Sequence, residues 1–403
     1  MFVSNTLPER GLPLEAADID MLGEAGTNEV ERWITTRADN GETPLHALPA
    51  LAVELGLSAI QVKDEGFRLG LGSFKALGGA YAVTQLVLEE ASRRLGRQVG
   101  VGDLDAPEVR AVASTMTVAC ATDGNHGRSV AQGAEVAGAK AAIFVHSGVS
   151  DERVAAIGRF GAEMIRVEGN YDDSVARASE VATERGWLIV SDTSWPGYER
   201  IPGLVMQGYT AMVRETLRRL PEPPTHVFLQ AGVGGFAAAV AGHMALVLGD
   251  RCPTVVVVDP ARAACIVESA RAGRPVKVEH GEATVMAMLE CYEPSLVAWR
   301  ILSRVADAFI TVDEDDAIAA MNRLARPVGA DPAIVAGESG GAGLAGLVVA
   351  LRDDEARRSL GLGSSSRVLL INTEGATDPE LYRQLVGMDV GEVLRSNATP
   401  RAA

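Results

Sequence analysis

The chain has 403 residues, more than one hydrophobic core usually supports, so its length favours two domains. A composition of 47% hydrophobic and 22% charged residues with 43 glycines is typical of a folded α/β protein and excludes a largely disordered one. The formal net charge of -16 disfavours a nucleic-acid partner, and the interrupted apolar runs are too short to span a membrane. The start, MFVSNTLPER, lacks a signal-peptide pattern, so we expect a cytoplasmic protein.

From about Val62 onward, short apolar runs alternate with segments of helical period. In chain order the runs that predict strands are SAIQVKDEG, TMTVACATDGNHG, KAAIFVHS, AEMIRVEG, WLIVSDTS, HVFLQAGVGG, TVVVVDP, AFITVDE and RVLLINTEG. Strands that alternate with helices require crossover connections, which predicts an α/β fold with mostly parallel twisted sheets flanked by helices. Ligands bind at the carboxyl ends of such strands, where TDGNHG (the asparagine loop, residues 122–127), SDTSWPGY, QAGVGG and NTEGATD follow. We expect these loops to form one site.

The stretch GSFKALGGAYA places Lys75 between Phe74 and a helix start built from small residues. A surface lysine needs no such setting, whereas a lysine held still, desolvated and close to a backbone does. Such a lysine can form a Schiff base with an aldehyde.

A glycine turn follows the strand in HVFLQAGVGGFAAAVAGHMA. Gly232, Gly234 and Gly235 let the backbone approach a ligand, and N–H groups at the start of the next helix can hold a phosphate. Gly232, Gly234 and Ala237 also match G-x-G-x-x-A, and Asp259 ends the next strand where a ribose-binding acid would lie. A dinucleotide-dependent dehydrogenase and a turn that only packs a helix on a strand therefore stay open. The dehydrogenase hypothesis leaves the lysine and the asparagine loop unexplained.

Pyridoxal 5'-phosphate carries both an aldehyde for Lys75 and a phosphate for the glycine turn. The set SFKALGGAYA, ATDGNHGRSVA, QAGVGGFAAA and INTEGATDP resembles the fold-type II pyridoxal-phosphate enzymes, which include serine and threonine dehydratases and the tryptophan synthase β chain. Asp123 before the glycine of the asparagine loop, together with KDEGFRLGLGSFKALGGAYA and DTSWPGY, resembles the diaminopropionate ammonia-lyases more closely. The resemblance runs from about Thr43 to Tyr382, nearly the whole chain.

This resemblance implies two interleaved domains and a homodimer. Residues 1–80 and 195–403 would form a large domain that binds the cofactor, and residues 81–194 a small domain that carries the asparagine loop. The tail after about Val390 is expected to be loosely ordered.

The resemblance also implies the cofactor contacts. Lys75 would attach pyridoxal phosphate, with Phe74 packed beside it, and Asn125 would hydrogen-bond the phenolic oxygen. Thr373 lies where the group places a hydroxyl beside the pyridine nitrogen, which does not enforce protonation of the ring. The residues expected to bind the phosphate are Gly232, Val233, Gly234 and Gly235.

The reaction implied is that of a carbon–nitrogen lyase: elimination of ammonia from 2,3-diaminopropionate, giving pyruvate and ammonia. This small amino-acid substrate carries an ammonium where serine carries a hydroxyl, and a buried cation calls for an anion. Asp123 and Asp192 are the candidates, although each could instead cap a helix. Because the family accepts D and L isomers, we expect Asp123 to take the D proton and Lys75 the L proton, with Asp192 orienting the substrate amine or assisting departure of ammonia. The substrate contacts expected in these loops are Thr122, Asp123, Gly124, His126 and Asp192.

Several alternatives stay open. A serine or threonine dehydratase of the same fold has no evident need for Asp123, and a non-catalytic amino-acid sensor has no need for the lysine, the asparagine or either aspartate. Glu338 either lies near the cofactor ring or caps a helix. Cys265 and Cys291 lie in one irregular region and could form a disulfide. The histidines and cysteines show no paired spacing, so no metal site is expected.

Overall fold

A computed structural model describes residues 1–122 and 124–397. In these residues the strands form one seven-stranded and one four-stranded sheet. The strands are β1 (Phe2–Ser4), β2 (Leu45–Ala47), β3 (Ala59–Asp64), β4 (Thr117–Ala121), β5 (Lys140–His146), β6 (Glu163–Val167), β7 (Leu188–Ile189), β8 (His226–Gln230), β9 (Thr254–Pro260), β10 (Ala308–Val312) and β11 (Arg367–Asn372). The α-helices are α1 (Ala16–Leu22), α2 (Glu24–Thr35), α3 (Pro49–Glu54), α4 (Lys75–Leu95), α5 (Pro107–Ala113), α6 (Asn125–Ala137), α7 (Asp151–Gly158), α8 (Tyr171–Arg185), α9 (Arg200–Gly208), α10 (Thr210–Arg219), α11 (Gly235–Leu248), α12 (Cys265–Ala272), α13 (Leu296–Val305), α14 (Glu314–Ala325), α15 (Ala342–Arg352), α16 (Asp354–Leu360), α17 (Pro379–Val386) and α18 (Val390–Ser396).

The larger sheet has the strand order β1-β10-β9-β8-β11-β3-β2. Its five inner strands run parallel, and the short edge strands β1 and β2 pair antiparallel with their neighbours. The smaller sheet, β6-β5-β4-β7, is parallel throughout. The prediction of an α/β fold with mostly parallel sheets flanked by helices is confirmed.

Strand β9 shows why the inner strands read as unbroken apolar runs. Val255 and Val257 belong to one apolar cluster, and Val256 and Val258 belong to another. Successive side chains of a strand point to opposite faces, so both faces of the sheet are covered. Ligand-binding loops are therefore confined to the ends of the strands.

Helix α4 begins at Lys75 and packs against both α6 and α9. Two glycines allow this close packing: a Cβ at Gly78 would lie 2.5 Å from Cε1 of Tyr209, and a Cβ at Gly79 would lie 2.8 Å from Oγ of Ser129. No larger side chain fits at either position without displacing its neighbours. The small residues after the lysine thus hold in place the helix that carries it.

The strands of the smaller sheet lie between Thr117 and Ile189, inside the segment expected to form the small domain. The exact boundaries, at residues 80 and 195, stay a prediction. Among the described helices, none is long and apolar enough to cross a membrane.

The expectation that the chain is loosely ordered after about Val390 was wrong for residues 390–397. Helix α18 occupies this segment, and the side chain of Asp389 caps it by accepting a hydrogen bond from the backbone N–H of Glu392. Val393 is fully buried against a cluster that includes Tyr382, so burial of one apolar face holds the helix in place.

Candidate active site

A buried cluster of opposite charges anchors the chain just before Lys75. Arg68 donates from Nε to Glu65 (2.8 Å) and from Nη2 to Glu215 (2.6 Å). Lys63 donates to Glu215 (2.8 Å) and to the backbone oxygen of Thr43 (2.9 Å). Two cations and two carboxylates balance, and all are hydrogen-bonded, which is the condition under which charges tolerate burial. The charged residues of KDEGFRLG thus fix the loop that leads to the lysine.

Lys75, the first residue of α4, forms an ion pair with Asp192, which follows β7. The two side chains are 21% and 19% exposed. Burial on its own lowers the pKa of Lys75, but the carboxylate of Asp192 outweighs burial and the pKa stands above its ordinary value. Burial likewise favours the neutral acid of Asp192, but the ammonium of Lys75 holds the pKa of this carboxyl below its usual range. The pair is therefore charged at neutral pH.

His126 lies beside this ion pair and is only 7% exposed. Its Nε2 atom lies 2.8 Å from the backbone oxygen of Val190, which can only accept a hydrogen bond, so Nε2 carries the proton. Burial lowers the pKa of His126 and keeps the ring neutral. The Nδ1 lone pair has no partner within residues 1–122 and 124–397 and is left as a hydrogen-bond acceptor.

The asparagine loop joins β4 to α6. The hydroxyl of Thr122 accepts hydrogen bonds from the backbone N–H groups of Gly124 and Gly127, at 3.0 Å each, which holds the turn closed. Asn125 is the first residue of α6 and donates from Nδ2 to Oε2 of Glu374 over 2.6 Å. Asp123 lies outside the described residues, so its predicted role stays a prediction.

The glycine turn lies between β8 and α11. Gly234 has a φ of +92°, and a Cβ there would lie 3.0 Å from Cδ1 of Ile266. Both the left-handed backbone conformation and the lack of space therefore favour glycine. The helix begins at Gly235 without a side-chain cap, which leaves its first N–H groups for an anion. The backbone oxygen of Val233 accepts a hydrogen bond from the N–H of Ser295 (3.0 Å). A cradle of this kind fits a phosphate group.

Further hydrogen bonds connect the glycine turn with Asp192. Ser295 also accepts a hydrogen bond from the N–H of Ser194 over 3.1 Å, two residues after the aspartate. A Cβ at Gly235 would lie 3.6 Å from the backbone oxygen of Asp192. The phosphate cradle and the ion pair are therefore neighbours.

Phe74 lies in a cluster of aromatic rings. Its ring centroid is 4.7 Å from that of Tyr209 and 4.7 Å from that of Phe236, and Nζ of Lys75 lies 5.5 Å from its own centroid. The backbone N–H of Phe74 donates to the backbone oxygen of Thr373 over 2.9 Å. Contact of Phe74 with the cofactor stays a prediction, while the ring's packing fixes the residue before the lysine.

Thr373 follows β11 and is 3% exposed. Its hydroxyl accepts a hydrogen bond from Nε2 of Gln230, the last residue of β8, over 3.0 Å. Gln230 and Glu374 were both missed from the sequence, although each ends or follows a strand within a loop that the sequence had singled out. A polar residue closing the apolar run HVFLQ was the available signal for Gln230.

Asp259 is fully buried and does not point to a dinucleotide site. Its Oδ2 atom accepts hydrogen bonds from the backbone N–H groups of Ile266 and Val267, at 2.9 Å each, and so holds the start of α12. A carboxylate engaged in this way is not available to a ribose hydroxyl. The feature that supported the dehydrogenase alternative thus has a structural role.

Glu338 precedes α15, whose N-cap residue is Gly341, and its role stays a prediction. It is 1% exposed, and burial raises its pKa. Burial and the nearby Glu338 together raise the pKa of Glu374 to about 8.

Cys265 and Cys291 both adjoin the glycine turn. Sγ of Cys265 donates to the backbone oxygen of Gly232 over 3.5 Å, and a Cβ on that glycine would lie 2.9 Å from Sγ of Cys291.

Comparison with known proteins gives the same class of site. Residues 36–374 match the family model described as pyridoxal-phosphate dependent enzyme. A diaminopropionate ammonia-lyase of Escherichia coli (strain K12) is 41% identical over 352 residues, covering 85% of this chain and 87% of the relative. A crystal structure of the Escherichia coli diaminopropionate ammonia lyase, in complex with an aminoacrylate–PLP azomethine reaction intermediate, has a TM-score of 0.85 at 36% identity and covers 96% of each chain. A biosynthetic L-threonine dehydratase of Haemophilus influenzae is 29% identical over 76% of this chain and 52% of the relative.

An uncapped helix start behind a glycine turn, with a partly buried lysine beside it, fits a phosphorylated aldehyde. The chain belongs to the pyridoxal-phosphate dependent enzymes. Its cofactor is pyridoxal 5'-phosphate, and the described residues fit this group: Lys75 offers the amine, Gly232–Gly235 the phosphate cradle, and Thr373 a buried hydroxyl. The individual roles of these residues are proposals.

Proposed function

We propose that this enzyme eliminates ammonia from 2,3-diaminopropionate, as D and L isomers, giving pyruvate and ammonia. The observation that carries the proposal is the ion pair of Lys75 with Asp192, two residues for which the family resemblance implied this chemistry. The names of the relatives that are 41% and 36% identical support the same substrate.

Asp192 favours a substrate with a second ammonium. The ammonium of Lys75 holds the pKa of Asp192 low against the effect of burial, so this partly buried carboxylate is ionised while a cation lies beside it. Lys75 is the cation in the unliganded protein, and the β-ammonium of diaminopropionate takes this place when the lysine is engaged elsewhere. The hydroxyl of serine would leave the carboxylate without a counter-charge, which costs free energy.

Bound pyridoxal phosphate supplies the electron sink for negative charge at the substrate Cα. Lys75 provides the amine that attaches the cofactor and afterwards a base for the Cα proton of the L isomer. Asn125 orients the cofactor at its phenolic oxygen, and Gly232, Val233, Gly234 and Gly235 bind its phosphate. The chain's own residues thus hold the cofactor and move the proton.

The asparagine loop is proposed to bind the substrate and to serve the second enantiomer. Thr122, Gly124 and His126 would contact the substrate, with backbone N–H groups of the turn on its carboxylate. Asp123 would take the Cα proton of the D isomer from the face opposite Lys75. This follows from geometry, because the two isomers point that proton to opposite faces of the cofactor plane. Asp192 would orient the β-ammonium and assist the departure of ammonia.

We further propose a cytoplasmic homodimer with interleaved domains. The large domain would comprise residues 1–80 and 195–403, and the small domain residues 81–194. The separate four-stranded sheet supports the second of these units.

The experiment that tests this function is a comparison of substrates. Purified protein with added pyridoxal phosphate is given D-diaminopropionate, L-diaminopropionate, L-serine or L-threonine, and pyruvate is followed (2-oxobutyrate for threonine). We expect fast turnover of both diaminopropionate isomers and little of the other two. Preference for serine or threonine would replace the proposal by the dehydratase alternative, and Asp123 would then have a structural role.

A further inference from the structure

We infer that Gln230 is a positioning residue that makes the hydroxyl of Thr373 a hydrogen-bond donor to the cofactor's pyridine nitrogen and so keeps that nitrogen unprotonated. The inference rests on the contact of Thr373 with the ring nitrogen, which is part of the proposed function. It adds the residue that decides in which direction the hydroxyl's proton points.

Gln230 lies between the glycine turn proposed to bind the phosphate and Thr373, the residue proposed to contact the ring nitrogen. It is the last residue of β8, immediately before the glycine turn, and it is 1% exposed. Its Nε2 atom lies 3.0 Å from the backbone oxygens of Gly340 and Ile371, 3.2 Å from that of Ser339, and 3.0 Å from Oγ1 of Thr373. The amide thus joins the phosphate cradle, β11 and the start of α15.

The three backbone oxygens fix the orientation of the amide. A carbonyl oxygen can only accept a hydrogen bond, so the amide nitrogen must face this group of acceptors. The flipped amide would set Oε1 of Gln230 against three other oxygens with no hydrogen between them. The contact with Thr373 is therefore an N–H donated to Oγ1, with the two N–H groups shared among four acceptors.

This bond decides the role of the hydroxyl. Oγ1 of Thr373 accepts from Gln230, and its single hydrogen is left for a different acceptor. A buried hydroxyl seeks such an acceptor, and the lone pair of an unprotonated pyridine nitrogen is one. A protonated ring nitrogen would instead present a second donor to a hydroxyl that already accepts a hydrogen bond, and the hydroxyl's own hydrogen would lose this acceptor.

The charged groups around Thr373 do not oppose this arrangement. Glu374 follows Thr373 in the chain and lies near Glu338, and burial raises the pKa of both carboxyls. Oε2 of Glu374 is engaged by Asn125 and by the hydroxyl of Thr377 (3.4 Å). Lys75 is paired with Asp192. These three carboxyls therefore do not offer the free negative charge that would draw a proton onto the ring.

An unprotonated ring is a weaker electron sink than a pyridinium. An electron pair at Cα is then less stabilised by the ring, which favours breaking the bond between Cβ and the β-nitrogen. The polarity set by Gln230 thus favours elimination over transamination.

The test uses holoenzyme loaded with pyridoxal phosphate labelled with 15N in its ring, read by NMR without substrate. The variants are Gln230→Met, which has no donor, and Gln230→Glu, whose carbonyl oxygen can accept from Thr373. In both variants the hydroxyl turns away to donate to the oxygens left around position 230, or to the new carboxyl, and its lone pair faces the ring. Gln98→Met, on the exposed Gln98, is the matched control.

We expect the wild type and the control to show the resonance of an unprotonated pyridine, and both Gln230 variants to move toward that of a pyridinium. An unchanged resonance in either folded variant, checked by circular dichroism, overturns the inference. If neither variant folds, the 15N resonance of the wild type tests the inference, and a protonated ring overturns it. An unprotonated ring in the wild type, with a resonance that moves in the Thr373→Val variant, supports it. Because no substrate is present, this NMR result does not depend on which substrate the enzyme uses. If the protein were a dehydratase, only the substrate comparison described under the proposed function would fail.

Discussion

The side chain of Asn125 donates from Nδ2 to Oε2 of Glu374 over 2.6 Å. This bond links the first residue of α6, beside the smaller sheet, to the chain just after the last strand of the larger sheet. An asparagine amide has two N–H donors, so the bond to Glu374 leaves one for the phenolic oxygen of the cofactor. It also fixes which end of the amide faces that oxygen.

Removing the acceptor at Glu374 should therefore weaken cofactor binding. Glu374→Leu releases the amide of Asn125, and since leaving a buried N–H donor without its partner costs about 1–3 kcal/mol, we expect affinity for pyridoxal phosphate to fall roughly fivefold or more. Glu374→Gln keeps an accepting oxygen and should change it by roughly threefold at most. Titration of the apoenzyme by absorbance measures both, with Glu380→Gln on the exposed face of α17 as control. Equal affinity in the Leu variant and the wild type would contradict the positioning role.

Replacing Lys75 should remove the covalent attachment of the cofactor and the activity. Lys75→Ala has no amine to react with the aldehyde and leaves Asp192 without its counter-charge. We expect loss of the absorbance band of the attached cofactor and loss of turnover by several orders of magnitude. Lys277→Ala, at an exposed lysine, should match the wild type in both measurements. Full turnover in Lys75→Ala would show that another group carries the chemistry.

Replacing Asp192 should shift the pH dependence of cofactor attachment. The carboxylate raises the pKa of Lys75 against the effect of burial, and only the neutral amine attacks an aldehyde. In Asp192→Asn the main influence opposing burial is gone, so the pKa of Lys75 falls and the rate of attachment should reach its midpoint at a pH lower by roughly one to three units. Stopped-flow absorbance of apoenzyme mixed with pyridoxal phosphate measures this. The exposed Asp250→Asn should leave the profile unchanged, whereas an unchanged profile in Asp192→Asn would disprove the electrostatic coupling.

Asp259 should make the protein less stable as the pH rises. Burial raises its pKa to about 8, although the N–H groups of Ile266 and Val267 partly offset burial. The ordinary value is about 3.9, so between about pH 4 and pH 8 the folded protein holds a proton that the unfolded chain has released. The free energy of unfolding therefore falls with rising pH in this window, by at most ~1.4 kcal/mol per pH unit, and levels off above it.

Asp259→Asn keeps an oxygen for the two N–H groups and cannot ionise, so its stability should lack this component. The measurement is urea unfolding of wild type and variant at several pH values across the window. The difference should grow in favour of the variant as the pH rises. Asp313→Asn, at the exposed cap of α14, is the control. A difference that does not depend on pH would contradict the burial argument.

Patterns local in sequence predicted most of the fold. The nine apolar runs all form strands, and the inner strands of the larger sheet are the clearest of them because a strand covered on both faces is apolar nearly throughout. The edge strands β1 and β2 were missed, since three residues with partly exposed side chains carry no such pattern. The helix in the tail was missed because its stability comes from burying Val393 rather than from composition.

Site residues could be predicted where neighbouring residues in the sequence are enough to indicate their role. Lys75 and the glycine turn could be found from their own neighbours in the sequence. The bonds of Asn125 to Glu374 and of Gln230 to Thr373 join residues 249 and 143 positions apart, and only the fold brings them together. The dehydrogenase alternative stayed open for the same reason, because the spacing of Asp259 suggests a ribose ligand and only its burial against α12 shows otherwise.

The most direct test of the proposed function is the ratio of ammonia to pyruvate released from D- and L-diaminopropionate by the holoenzyme. Elimination of the β-amino group followed by hydrolysis predicts two molecules of ammonia for each pyruvate, with both isomers. A transamination or an oxidation at Cα would leave the β-nitrogen in the product and form no pyruvate. That result, or the absence of turnover with both isomers, would contradict the function proposed for this chain.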